Sequence, residues 1–546
     1  MSRGRISRRR FLGTGMVAGT AAILAACGET VEVERIVTQV VEKEVEVIKE
    51  VTVEVEIPVE RLVEVQVVQE VEGPQDVSYE AANVDWRKYA GQEINVLGVN
   101  GFVTQWQQGL LPEFEQITGI KVNYELLGET QLFDKTNLEL TSRSANYDLF
   151  WSACFNIPRW LSGGLIQDLS GYLNDPDHTD IEWYDFGDIH PSVRGAVTAG
   201  DEIGAVPFDA VSHANFFRVD KFEEAGIQDP PDTMDELEET AAKLYDPEND
   251  FYGISLRGGF LQIMYPAFPY TYGGGYLDDE WRSIINSPES LAGTQKYVDL
   301  VTKYGPPGSS TKIWKDVLED FRGGLSGMLP DTFGFTPGFE DVNASKIIGT
   351  VGAHYMPGVT KDEYGEHGFW TWTVTMNNFS EKKDPAWLYM QWASSRLTAL
   401  RFALLRWVTA RNWVTQQSVW QDVVKDKNFG QWPVVFGHGI STARPDYLVT
   451  SVNGRPIPEA QDVLRIQGIE LSSMVAGEKT VEEGSNSSFE QVNNLMTQAG
   501  YYSEVAATLG PRPTAAGGRL CERWAISPMF QTPTGGGIPR GPRPGT

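Results

Sequence analysis

Cysteine is scarce: among 546 residues only Cys27, Cys154 and Cys521 carry a thiol, too few for the disulfide framework that staples small secreted domains. Histidine is scarce too. Its six copies are scattered, and none forms the His-Glu-x-x-His pair that holds a catalytic zinc. The chain also has no Gly-x-Ser-x-Gly nucleophile turn and no Gly-x-x-x-x-Gly-Lys phosphate cradle, so no enzyme of those classes is expected. Positive charge is in deficit, with 45 Lys and Arg against 74 Asp and Glu and a net charge of -29. Without a basic stripe to neutralise phosphates, nucleic acid is not an expected partner. Acidity of this kind serves solubility.

Long apolar runs are missing except near the amino terminus, where residues 16–26 carry no charge. That run is shorter than the roughly 20 residues of a bilayer-spanning helix. It follows Ser7-Arg8-Arg9-Arg10-Phe11-Leu12, which resembles a twin-arginine (Tat) export signal with Gly13 in place of the frequent Lys. It ends in Leu24-Ala25-Ala26-Cys27, which resembles a lipobox. The reading is a cleaved signal peptide over 1–26 and a lipid on Cys27. The expected location is therefore the outer face of the cytoplasmic membrane.

From 29 to 72 the chain is mostly Val and Glu, as in Val51-Thr-Val-Glu-Val-Glu-Ile57. Alternation favours an extended conformation, while Val37, Val41, Val45 and Ile48 also fit one helical stripe, so a short coiled coil stays open. About 44 residues span about 145 Å extended, or about 66 Å as helix. The segment reads as a stalk, assigned to 27–90 with Cys27, and Gly73-Pro74 marks the end of its low-complexity part.

Beyond it, strands and helices alternate: strands at 93–97, 121–127 and 147–151, with helices expected over 104–119 and 131–142 between them. A second series follows Pro207, with a helix over 233–244 that Thr233 and Glu236 suit as a capping box, then a strand at 252–256. This is α/β patterning, with a parallel sheet covered on both faces. The tail over 509–546 turns to Pro, Gly and Thr and is expected to be disordered.

Several phrases in this region resemble, in order, the large family of extracellular solute-binding proteins that includes the maltodextrin-binding proteins. They are Pro112-Glu-Phe-Glu-Gln-Ile-Thr-Gly-Ile-Lys-Val122, Tyr147-Asp-Leu-Phe-Trp151, Gly164-Leu-Ile-Gln-Asp-Leu169 and Ala205-Val-Pro-Phe208, continuing to Phe217-Arg-Val-Asp-Lys-Phe222 and Ala225-Gly-Ile227. Pro230-Pro-Asp-Thr-Met-Asp-Glu-Leu237, Phe321-Arg-Gly-Gly-Leu-Ser-Gly-Met328 and Pro385-Ala-Trp-Leu-Tyr-Met-Gln-Trp392 follow. The chain departs from the family pattern at Phe217-Arg218, where Tyr-Asn is usual, at Met234 for Trp and at Gly327 for Ala.

The resemblance implies a periplasmic binding protein-like fold of class II, two doubly wound lobes joined by a hinge of several crossings. The first lobe is placed at 91–208 and 330–410, the second at 209–329 and 411–508. Crossings are expected near 208–213, 328–331 and 409–413. The implied function is solute capture for an ABC importer, with a sugar or related polyol as ligand and the permease as partner. The protein is expected to be monomeric and to need no cofactor.

A sugar needs fixed donors and acceptors for its hydroxyls and aromatic planes for its ring faces. Where strands end and loops face a cleft, the candidates from the first lobe are Asn100, Phe102, Gln105, Trp151, Ser152 and Asn156. Asp209 and Asp331, at the expected crossings, are the polar anchors, each able to accept hydroxyl hydrogen bonds strongly as a carboxylate. Arg257, Tyr270, Tyr272, Trp370, Trp372 and Arg411 complete the set. Alternation in Phe369-Trp-Thr-Trp-Thr-Val374 places Trp370 and Trp372 on one face, so both enter the cleft or both pack inside.

Two alternatives use the same residues. One is a ligand sensor or adhesin of the same fold; the other is a surface glycoside hydrolase, which needs only two suitably spaced carboxylates. The oxygens of Asp246-Pro-Glu-Asn-Asp250 suit calcium, but the sixth position is not Gly and the twelfth is not Glu, so the stretch reads as a solvated turn and no metal is expected.

Overall fold

The computed structural model describes residues 51–52, 66–67, 76–259, 264–452 and 455–501. Two compact units, Met1–Gln75 and Asp76–Thr546, make up the chain. In the first, Val51–Thr52 pairs antiparallel with Gln66–Val67. The signal peptide, Cys27 and the remainder of the stalk up to residue 75 lie outside the described residues, as does the tail.

In the second unit, Glu93–Val99 runs parallel to Lys121–Leu127 and to Leu149–Ala153. The helices Phe102–Thr118 and Glu129–Thr141 carry the chain back between them, as parallel neighbours require. Trp372–Met376 joins antiparallel to Leu149–Ala153, and Val206–Pro207 pairs with it to complete a five-stranded sheet. The first helix stops at Gly119, whose left-handed φ of 72° lets its N–H reach back to Glu115 O.

A second five-stranded sheet is built around the eight-residue strand Val211–Arg218. Ser326–Thr332 and Val351–His354 flank it antiparallel, Tyr252–Ile254 adds parallel to Ser326–Thr332, and Phe369–Trp370 pairs with the start of the central strand. Met234–Leu244 begins with the expected capping box, Thr233 Oγ1 accepting from Glu236 N at 3.1 Å and Glu236 accepting from Thr233 N. This helix lies so close to the sheet that a Cβ on Gly253 would meet Ala241 O at 2.0 Å. Each sheet with its helices is one lobe.

Three passages join the lobes. The first runs from Val206–Pro207 to Val211–Arg218. The second is a single residue, Thr371, between Phe369–Trp370 in the second sheet and Trp372–Met376 in the first. The third follows the helix pair Lys383–Ser394 and Arg396–Arg406 and leads to Trp432–Thr442, packed on Val211–Arg218.

Two expectations are corrected. No crossing occurs near 328–331, because Ser326–Thr332 is one continuous strand inside the second sheet. The boundary at 329/330 therefore moves to Thr371. Residues 76–90, assigned to the stalk, belong to the first lobe instead: Tyr79 and Trp86 are buried against Trp183 with ring centroids 5.7–6.4 Å apart, and Trp183 Nε1 donates to Ser78 O. Apolar burial of two large rings holds this segment down.

Candidate functional site

The parallel strands of the first sheet end toward the second lobe at Asn100, Gly128 and Cys154, and the hinge strands start or finish at the same level. That is where open α/β sheets place ligands. The first feature there is a cluster of aromatic rings. Trp370 and Trp372 lie 5.5 Å apart at 78°, Phe155 packs 5.8 Å from Trp370, and Phe133 stacks on Trp372 at 6.3 Å. The two tryptophans sit together although they belong to different sheets. Trp372 is half-buried and keeps an accessible edge; Trp370 is 5% exposed.

Asp209 clamps the crossing beneath them. Its Oδ1 accepts from Trp372 N at 2.8 Å, and its carbonyl accepts from Thr371 Oγ1 at 2.5 Å. Burial pushes its carboxyl up to about 6, opposed by the Trp372 N–H and by the charge of Arg406. The Arg406 guanidinium lies 4.8 Å from the ring of Phe102, a cation over an aromatic face. Its Nε has no hydrogen-bond partner among the described residues. Nearby, Asn156 is buried and donates weakly to Ser152 Oγ at 3.4 Å, while its Oδ1 has no partner. A buried amide oxygen left unpaired is costly unless something donates to it.

The second lobe contributes Arg257, which grips Asp331 through Nε at 2.8 Å and Nη2 at 2.5 Å. Both residues are buried. Asp331 Oδ1 also accepts from Thr332 N, so both oxygens of this expected anchor already accept hydrogen bonds from the protein. The unpartnered group of the pair is Arg257 Nη1. Arg257 lies 5.6 Å from Phe335, on which Trp314 stacks.

Glu129, at the start of its helix in the first lobe, meets this second-lobe group. The Trp314 indole and the charges of Arg257 and Lys315 favour its ionised form. Burial is the largest influence and pushes its carboxyl up to about 7. At the rim, Arg159 of the first lobe pairs with Asp462 of the helix Ala460–Val475 at 3.0 Å.

Of the remaining candidates, Asn100 and Gln105 are exposed and bonded to each other at 3.2 Å near Phe102. Trp151 and Ser152 are core residues. The indole stacks on Phe208 at 4.6 Å and donates to Tyr124 Oη, and Ser152 Oγ donates to Ala153 O. Three candidates fall elsewhere. Arg411 holds Ser394 O, Asp185 O and Asp188 within the first lobe. Tyr272 is influenced by Lys296, Asp235 and Glu238, and Tyr270 packs on Tyr447 with its hydroxyl donating to Asp446 O.

The residues not anticipated are Glu129, Phe133, Phe155, Trp314, Phe335 and Arg406. Glu129 had a usable signal, since it follows the Lys121–Leu127 strand as Asn100 follows Glu93–Val99. Around Asp246 the structure has a short turn, Asn249 Nδ2 donating to Asp246 Oδ2. Among the described residues no group of three or more His, Cys, Asp or Glu is arranged to hold a metal ion.

Comparison with known proteins agrees with this architecture. The erythritol/L-threitol-binding protein of Mycolicibacterium smegmatis is 30% identical over 343 residues, covering 59% of this chain and 71% of that protein. The mannitol-binding protein of Pseudomonas aeruginosa is 26% identical over 282 residues, covering 51% of this chain and 63% of that protein. An ABC transporter solute-binding protein from Agrobacterium vitis S4, solved with bound D-mannitol, superposes with a TM-score of 0.64 at 25% identity, over 76% of this chain and 100% of that one. The model of the bacterial extracellular solute-binding protein family matches residues 101–396, more than half of the sequence, and the chain belongs to that family.

Proposed function

We propose that this protein captures a small polyol or sugar between its two lobes and delivers it to the permease of an ABC importer. The observation that carries the reading is the paired tryptophans Trp370 and Trp372, held by Asp209 at the single-residue crossing, in a fold whose buried Asn156 and Arg257 each keep an unpartnered polar atom. Aromatic planes cover C–H faces while buried amide, guanidinium and carboxylate groups satisfy hydroxyls. The relatives with 30% and 26% identity are named for binding erythritol or L-threitol and mannitol, while a maltotriose-binding relative is 24% identical, which favours linear polyols over oligosaccharides.

The ligand contacts both lobes only when they are shut, so it shifts the population toward the closed form. A member of an extracellular solute-binding family works outside the cytoplasm. The signal phrase supports Tat export and a lipid on Cys27 that tethers the protein to the membrane. It acts as a monomer and performs no catalysis. Binding residues in this account are Asn100, Phe102, Gln105, Asn156, Asp209, Arg257, Trp370 and Trp372 of those first expected, joined by Phe133, Phe155, Glu129, Trp314 and Arg406.

A thermal-shift screen of the protein against erythritol, D-mannitol, ribitol, maltose and amino acids tests this. A ligand at a hundred times its dissociation constant stabilises by about 2.7 kcal/mol. A shift with a polyol or sugar supports the reading, and a shift with amino acids alone overturns the ligand assignment.

A further inference from the structure

The helix Ala460–Val475 is fixed to the second lobe. Gln467 Nε2 donates to Tyr265 Oη at 3.0 Å, and Ser472 Oγ donates to Gly258 O at 2.9 Å. The same helix also packs against the turn Cys154–Asn156 of the first lobe, and at that junction Asp462 meets Arg159. Arg159 stands on the short helix Ile157–Ser162, which is fixed to the first lobe where Trp160 Nε1 donates to Asn137 Oδ1 at 2.9 Å. Its Nη1 donates to Asp462 Oδ2 at 3.0 Å. The other carboxylate oxygen, Oδ1, accepts from Nη2 of Arg465 at 3.4 Å, one turn along the same helix. Asp462 thus has one partner on its own lobe and a second from the opposite one.

We propose that Arg159 and Asp462 are a rim latch: their ion pair forms as the lobes close, sustains a closed population before any solute arrives, and slows release of a captured solute. The passages between the lobes all lie in the hinge. Opening about them carries Ile157–Ser162 away from Ala460–Val475, so the 3.0 Å contact belongs to the closed form. Arg465 restrains the Asp462 carboxylate while the lobes are apart, so less side-chain freedom is lost when Arg159 arrives.

Arg159 and Asp462 are positioning residues, acting through closure, and the latch rests on the reading of the protein as a two-lobed binder. Their side chains are 49% and 28% exposed, open to water and to salt. A pair of this kind favours the state that makes it by about two- to five-fold, enough to bias the lobes and too little to lock them. Because the pair forms after the solute has entered, its loss speeds dissociation and leaves association almost unchanged.

The test is single-molecule fluorescence energy transfer on the full chain without ligand. The dyes are carried by p-acetylphenylalanine in place of Leu138 and Val342, which are exposed on the first and second lobes. At about 10 mM salt, where charges are felt over about 30 Å, the native protein is expected to show a closed population. Arg159→Gln and Asp462→Asn are each expected to lower its closed-to-open ratio about two- to five-fold. The double variant is expected to fall no further, as for two ends of one contact. At about 1 M salt the screening length is about 3 Å, and the native ratio is expected to match that of the variants. Arg465→Gln removes the partner that does not cross the cleft, and its effect is expected to be smaller than that of Arg159→Gln. A native protein with no closed population, single variants equal to it, additive losses, or a loss in Arg465→Gln as large as in Arg159→Gln overturns the latch. Addition of D-mannitol, erythritol and maltose then bears on the functional reading alone: their failure to close the protein rejects that reading while leaving the ligand-free ratios to decide the latch.

Discussion

Burying a carboxylate raises its affinity for protons, and Asp209 shows what that does to this hinge. Its folded value of about 6 stands above the ordinary 3.8, so the native state binds the proton more tightly than the unfolded chain. Stability contributed by this group is therefore highest below about pH 4, declines as pH rises toward 6 and is lowest above it. Asp209→Asn keeps the acceptor for Trp372 N and removes the buried charge. At pH 8 it is expected to be more stable than the native protein by at most about 3 kcal/mol, partly offset by Arg406 losing its counter-charge. The advantage disappears by about pH 4 in urea unfolding, and polyol affinity falls by about tenfold or more. Arg411 behaves oppositely. Buried and bonded to Ser394 O, Asp185 O and Asp188, it holds the first lobe together, so Arg411→Met is expected to destabilise by about 3–5 kcal/mol with the affinity of the folded fraction unchanged. Calorimetric unfolding and binding on the same sample separate the two effects.

Strands and helices were largely legible because their signals are local. Apolar runs bounded by glycine mark Glu93–Val99 and Lys121–Leu127, and the Thr233–Glu236 box marks a helix start. The crossing at Thr371 was not legible. Alternation through residues 369–374 reads as one strand, yet pairing partners divide it, with Phe369 and Trp370 opposite Ser212 and Val211 and Trp372 opposite Ala153. Partner choice is a long-range property that periodicity does not carry. For the same reason Ser326–Thr332 looked like a place to cross, although its register against residues 213–217 is unbroken. Candidate binding residues suffered similarly: Asp331 was chosen for its carboxylate, and only the fold shows both oxygens held by Arg257. Close approach of elements gives a further prediction. Gly253→Ala drives a methyl to 2.0 Å from Ala241 O, so the helix Met234–Leu244 must move off its strand. Overpacking of this kind costs typically about 1–3 kcal/mol, and a lowered urea midpoint with unchanged slope checks it.

The two lobes communicate through contacts that belong to neither alone. Trp370 and Trp372 come from different sheets, and Arg159 of the first lobe pairs with Asp462 of the helix Ala460–Val475. A ligand at this junction binds tightly only when both lobes contribute, which makes capture and closure one event. In the proposed site the half-buried Trp372 is the residue at which binding separates most cleanly from folding, because Trp370 and Phe155 remain to support the hinge. Calorimetric titration of the native protein and of Trp372→Ala with erythritol and D-mannitol tests the claim most directly. The account predicts single-site saturation by at least one of these polyols, weakened about tenfold or more, or ~1.4 kcal/mol, in Trp372→Ala. Equal affinity in the variant, or no heat from any polyol or sugar with the native protein, would contradict it.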